Sequence, residues 1–152
     1  MAQKEQQSKS IVNRQARHNY HILEKYTAGI ELKGSEVKSL RQGKVQITEA
    51  FCHLKNGEVF LHNLHISPYE QGGYANHDPL RKRKLLLTKK EIAQIEKKLR
   101  DQSTTMVPLK IFFNDRNIAK VEIAVVKGKK YHDKRQDLKE KQVKRDMQRY
   151  VR

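Results

Sequence analysis

The side chains able to do acid–base or metal chemistry here are seven histidines and one cysteine. His62 and His65 are separated by two residues, a spacing that fits neither the period-two face of a strand nor the four-residue step that puts two imidazoles on one helix face. No acidic cluster stands beside them to complete a metal site, so neither metal nor cofactor is expected. Cys52 falls mid-strand by pattern, and no glycine-rich elbow surrounds a serine, which leaves no activated nucleophile in view. A metal-free ribonuclease needs only two histidines in suitable geometry, and that alternative stays open at this level.

A second chemistry, neutralisation of phosphate, has far more residues behind it. The chain of 152 residues carries 33 Lys and Arg against 17 Asp and Glu, a formal charge of +16. The cations gather at three places: Arg14 and Arg17 near the N-terminus, Arg81-Lys82-Arg83-Lys84, and a C-terminal stretch with ten cations against four carboxylates from Gly128 onward. Such a balance points to a polyanionic partner, and nucleic acid fits best. Inside the last stretch, GKKYHDKR sets Tyr131 and His132 among Lys129, Lys130, Lys134 and Arg135, so flat rings for stacking on bases stand beside charges for the backbone.

A membrane surface is the rival polyanion, but the longest apolar runs, such as Leu85-Leu86-Leu87, are a few residues long, so no membrane association is expected. The polar opening MAQKEQQSKS lacks the apolar core of a secretory signal, and the single cysteine fits a reducing compartment, so the expected location is cytoplasmic.

The elements that must carry these groups read as one domain with tails: a flexible arm over 1–15, a folded body over 16–127, and a basic tail over 128–152 that is disordered when free. YHILEKYTAGIELK reads as two strands in succession, bent at Ala28-Gly29. GSEVKSLRQG predicts a short helix with Val37 and Leu40 on its apolar face. In EAFCHLKNGEVFLHNLHI, Asn56-Gly57 supplies the two positive-φ positions of a tight hairpin. Its register sets Lys55 opposite Glu58 as a salt pair, Leu54 opposite Val59 and His53 opposite Phe60.

A long, mobile loop over 67–78 follows, and Thr88 with Glu91 then forms a capping box for a helix carrying Ile92, Ile95 and Leu99. Strands at about 107–113 and 118–126 flank the turn NDRN. The expected fold class is mainly β with short helices: an antiparallel β-barrel of the OB type, with inserted helices. Within the tail, Val143, Met147, Tyr150 and Val151 make too thin a stripe to fold alone, which predicts a helix only against a partner.

The motifs NRQARHNY, AGIELKGSEVKSLRQGKV, DPLRKRKLLLTKKEI, VPLKIFF and KGKKYHDKR occur in the order seen in the bacterial small protein B family of tmRNA-binding, or SsrA-binding, proteins. The chain resembles that family over about residues 11 to 152. The resemblance implies an OB-like body that binds the tRNA-like domain of tmRNA and delivers it to stalled ribosomes for trans-translation. It also implies a tail that lies in the decoding centre and mRNA channel in place of an anticodon–codon pair and becomes helical there.

On this resemblance the tmRNA-contact residues are Asn13, Arg14, Arg17, Thr27, Leu86, Thr88 and Lys120, and the ribosome-facing segment is Gly128, Lys129, Lys130, Tyr131, His132, Asp133, Lys134 and Arg135. His132 is implied to stack on small-subunit ribosomal RNA, with Gly128 giving the chain its bend out of the body. Elongation factor Tu and alanyl-tRNA synthetase are implied as indirect partners through tmRNA, and no bond chemistry is implied for the protein itself. The chain departs from the family pattern in having Thr27 where Glu is usual, Thr88 where Asn or His is usual, and Ser35 for a common Trp.

Overall fold

The computed structural model describes residues 10–73, 76–129, 139 and 141–145. In chain order the elements are β1 (Ile11–Val12), α1 (Arg14–Asn19), β2 (Tyr20–Ile30), α2 (Gly34–Arg41), β3 (Val45–Gln46), β4 (Phe51–Lys55), β5 (Glu58–His62), β6 (His65–Ile66), β7 (Arg83–Leu86), α3 (Lys89–Leu99), β8 (Thr104–Phe113) and β9 (Ala119–Gly128). Every pairing is antiparallel. The neighbours β8-β4-β5-β7-β2-β9 close on themselves through β8–β9, so six strands form a ring, while β1 adds to the edge of β8 and β3 pairs with β6 apart from it.

Alternation along the strands fills the ring. Tyr26 and Ala28 of β2, Cys52 of β4, Val59 and Leu61 of β5, Leu85 of β7, Met106 and Ile111 of β8 and Val121, Ile123 and Val125 of β9 point into one buried cluster. From α3, Ile95 is fully buried in that cluster, with Ile92 and Leu99 packed against it. The apolar run Ile123-Ala124-Val125-Val126 is buried on both faces. Its outward members Ala124 and Val126 join Val107 and Leu109 in a second cluster under Ala16 of α1. A strand covered on both sides loses the polar alternation that marks a half-exposed one.

The hairpin has the register its turn dictates: Asn56 and Gly57 take φ of 52° and 74°, and Lys55, Leu54 and His53 face Glu58, Val59 and Phe60. The salt pair expected beside the turn does not form, because Glu58 reaches across to Lys84 of β7 at 3.3 Å. Thr88 caps α3 as its spacing predicts, its Oγ1 accepting from the Glu91 backbone N–H at 3.1 Å while its own N–H donates to Glu91 Oε1 at 3.0 Å.

Other expectations are corrected. Tyr20 to Ile30 is one strand, and its irregularity against β9 lies between Ile22 and Glu24. Gly29 has a different duty: a Cβ there would stand 3.3 Å from Leu86 Cβ, so glycine gives Leu86 its place against β2. Of the arm read over 1–15, Ile11 and Val12 form β1, Asn13 caps α1, and Arg14 and Gln15 begin it. In the loop after β6, Tyr69 and Asn76 tie the two sides together, the Tyr69 N–H donating to Asn76 Oδ1 at 2.8 Å and Asn76 Nδ2 to the Tyr69 carbonyl at 2.7 Å. Ser35 serves the same region, its Oγ lying 2.8 Å from Nδ1 of buried His77, whose Nε2 is 2.8 Å from the Ile66 carbonyl. Since that carbonyl can only accept, Nε2 carries a proton and donates to it.

Candidate nucleic-acid interface

The outward face of β7, β2, β9 and β8 presents two parallel rows. Strand register lines up Leu86, Gly29, Lys120 and Phe112 in the first. Thr27, Glu122 and Lys110 form the second. Because side chains alternate across a strand, burying Tyr26 and Ala28 turns Thr27 outward, where it is exposed. Leu86 is 48% exposed, an apolar tip on a polar surface. Lys110 sits with its Nζ 5.0 Å from the Phe112 ring centre, and Lys25 pairs with Glu122 at 3.7 Å. Among the described residues no carboxylate pairs with Lys120, which leaves its ammonium for a phosphate.

α1 lies on the same outward face over Ala124 and Val126 of β9. Ala124 lies four positions along that strand from Lys120, about 13 Å away. The exposed cations Arg14 and Arg17 therefore stand at one end of a surface whose other end is the Leu86–Lys120 row. Asn13, only 3% exposed, does not reach that surface. Its Nδ2 donates to the Pro108 carbonyl at 3.0 Å and its Oδ1 accepts from the Ala16 N–H at 3.2 Å, so it caps α1 and anchors it to β8. Thr88 is exposed, but its hydroxyl, besides capping α3, donates to Glu91 Oε1 at 3.0 Å. Both residues position the surface more directly than they extend it.

The run at 81–84 departs most from its sequence reading as a cluster of cations for phosphate. Arg83 is fully buried, its Nε on Glu36 Oε2 and its Nη1 on the Leu64 carbonyl at 2.6 Å. Arg81 closes on the other Glu36 oxygen at 2.6 Å. Burial pushes the Glu36 carboxyl up, but hydrogen bonds from Arg81, the Lys33 N–H and Arg83, with the Arg83 charge, outweigh it and hold the group below its ordinary value. Lys82 lies over the Phe60 ring at 4.4 Å, and Lys84 is paired with Glu58. The cluster thus splits between a buried ionic joint tying α2 to β7 and two lysines outside it, of which Lys84 shares the outward side of β7 with Leu86.

The tail leaves from a fixed point. Gly128 still pairs with Tyr20 in the β9 ladder, without the positive φ that a glycine bend would use. The Lys129 N–H donates to the Asn19 carbonyl at 2.9 Å, so the tail starts beside the end of α1. Lys130, Tyr131, His132, Asp133, Lys134 and Arg135 lie outside the described residues. Residues 141–145 are helical, and their side chains are exposed.

For catalysis the structure offers little that is activated. Cys52 is buried, and that burial pushes its thiol far up, away from a reactive thiolate. Among the described residues no cluster of three His, Cys, Asp or Glu is placed to hold a metal ion. Two histidines that sequence spacing did not link, His53 and His62, do meet edge to face at 5.9 Å between ring centres.

Comparison with known proteins identifies the family of the chain. The family model for SmpB protein matches residues 10–152. The chain is 51% identical over 140 residues to the SsrA-binding protein of Desulforamulus reducens, covering 92% of this chain and 87% of that one. To the SsrA-binding protein of Geotalea uraniireducens it is 54% identical over 135 residues, 89% of each chain. A solved chain described as "tmRNA-SmpB: a journey to the center of the bacterial ribosome" shares 55% identity and superposes with a TM-score of 0.68, covering 80% of this chain and 85% of that one.

Proposed function

This chain belongs to the SmpB protein family, and from that premise we propose that it binds the tRNA-like domain of tmRNA and brings it to stalled ribosomes for trans-translation. The observation that carries the reading is the outward surface on which Lys120, Leu86 and Thr27 stand at one end and Arg14 and Arg17 at the other. An unpaired ammonium and two guanidinium groups hold phosphates, and the exposed Leu86 tip meets the apolar face of a sugar or base. Asn13 and Thr88 act by capping the helices that flank this surface.

The same reading gives the tail a separate task. Gly128 and Lys129 root it beside α1, and Lys130 to Arg135 supply cations with Tyr131 and His132 as stacking rings for small-subunit ribosomal RNA, in the decoding centre and along the mRNA path. Elongation factor Tu and alanyl-tRNA synthetase join indirectly, through tmRNA, and the reading places the work in the cytoplasm. The protein acts as a binder rather than an enzyme, so RNA incubated with it without metal is expected to stay intact.

The direct test isolates the RNA retained by the full chain and by a chain ending at Lys127 at moderate salt. tmRNA dominating both samples is the expected result, whereas mixed RNAs lost on truncation would reduce the tail to a polycation and overturn the reading. In parallel, His132→Ala is expected to keep tmRNA affinity while impairing peptidyl transfer to tmRNA on stalled ribosomes. Equal loss of both would remove the division between body and tail.

A further inference from the structure

Around the ring from the tmRNA-facing rows, β4, β5 and β7 turn a different set of side chains outward. With Cys52 and Leu61 buried inside, Phe51, His53, Phe60 and His62 project from the outer face. Phe51 and His62 stack at 5.1 Å and 7° between planes, His53 meets His62 edge to face, and Lys82 covers Phe60. Phe51 keeps 39% of its surface exposed, large for an aromatic residue with an apolar interior close by. The same ring borders a crevice of about 300 Å³ between β4 and α1, lined also by Gln15, Asn19, Thr48, Glu49 and Thr105.

We infer that this ledge and crevice form a second RNA-contact site, which takes one unpaired nucleotide with its base on Phe51 and its phosphate toward Lys82. The division follows from the charges. Glu49 in the crevice repels a phosphate and accepts N–H groups from a base, while the amides and hydroxyls beside it suit the remaining donors and acceptors of a base edge. A cation sits on the other side of the rings, at Lys82 over Phe60, where a backbone would run, while Lys84 beside it is held by Glu58. A purely acidic protein segment would use the lysines and leave the ring ledge and the amide-lined crevice without a role.

This site extends beyond the tmRNA reading: it uses none of the Leu86, Thr27 or Lys120 contacts, and shares with that reading only Asn13, the cap of α1, which also lines the crevice. α1 stands between the two surfaces, packed on β8 and β9 and bordering the crevice. One protein could then hold two RNA segments on either side of a single short helix.

The test is an NMR titration of the full chain with a mixed-sequence RNA hexanucleotide, following the ring resonances of Phe51, His53 and His62. Saturable shifts of these rings are expected, with affinity weakened about fivefold or more by Phe51→Leu, as loss of one stacked base implies. Lys82→Gln should lower the salt slope by roughly 0.7. It also serves as the deciding variant if Phe51→Leu fails to fold. Lys120→Ala should leave these shifts in place even where it abolishes tmRNA binding, which separates failure of this site from failure of the tmRNA surface. Shifts confined to the Thr27 and Lys120 region, a Phe51→Leu protein of native circular dichroism with unchanged affinity, or equal shifts from a hexaglutamate peptide would each overturn the assignment.

Discussion

Glu36 shows how one residue changes the meaning of a motif. Its carboxylate binds Arg81 and Arg83, and Arg83 is as buried as Glu36 itself. Removing one partner of such a joint leaves a charge with no water and no counterion. Glu36→Gln is therefore expected to cost about 3 to 5 kcal/mol in urea unfolding, by the usual penalty for breaking a buried pair. The pH dependence has a definite sign. Because the folded carboxyl titrates below its ordinary value of 4.5, the joint's contribution is complete above that pH and is lost as pH falls through the lower folded value. Acid unfolding of the wild type should accordingly show a component that Glu36→Gln lacks. None of this was legible in RKRK, since four cations in a row read as an exposed cluster for phosphate. Only the path of β7 past α2 reveals that Arg83 faces inward.

At the scale of elements, the signals that survived were those in which a few adjacent residues dictate backbone geometry. Asn56-Gly57 and Thr88-Glu91 each fixed their structure locally, and both stand where the sequence placed them. β2 was misread because Ala28-Gly29 looks like a bend, whereas Gly29 answers to Leu86 on a strand more than fifty residues away. Gly29→Val should push Leu86 off the β2 surface and weaken tmRNA binding severalfold, with far-UV circular dichroism unchanged, as a filter-binding titration would show. Thr88→Ala should instead remove about 1 kcal/mol of stability, the value of a helix cap, and leave tmRNA affinity within about twofold. α1 went unseen because its six residues pack through Ala16 alone, too little for periodicity to register.

For the whole molecule, the formal charge of +16 overstates the cations free to hold RNA, because Arg81, Arg83, Lys84 and Lys25 already face carboxylates. Arg14→Gln and Arg17→Gln should each lower the salt slope of tmRNA binding by roughly 0.7 to 0.9, one neutralised phosphate apiece. The candidate surface was legible as a list of residues from family resemblance, but its coherence was not, because Leu86, Gly29, Lys120 and Phe112 meet only through cross-strand register. The ring itself is unevenly fastened. The β8–β9 ladder runs from Thr104–Lys127 to Phe113–Ala119, yet β4 joins β8 through the single pair Cys52–Met106, beside a crevice bordered by Glu96 and Leu99 of α3 and by Arg100, its C-cap. Like a bracelet with one clasp, it has a natural place to come undone. Deuterium should reach the amides at that clasp well before those of β9, and the first step of unfolding should be an uncurling of the sheet there rather than a general loosening.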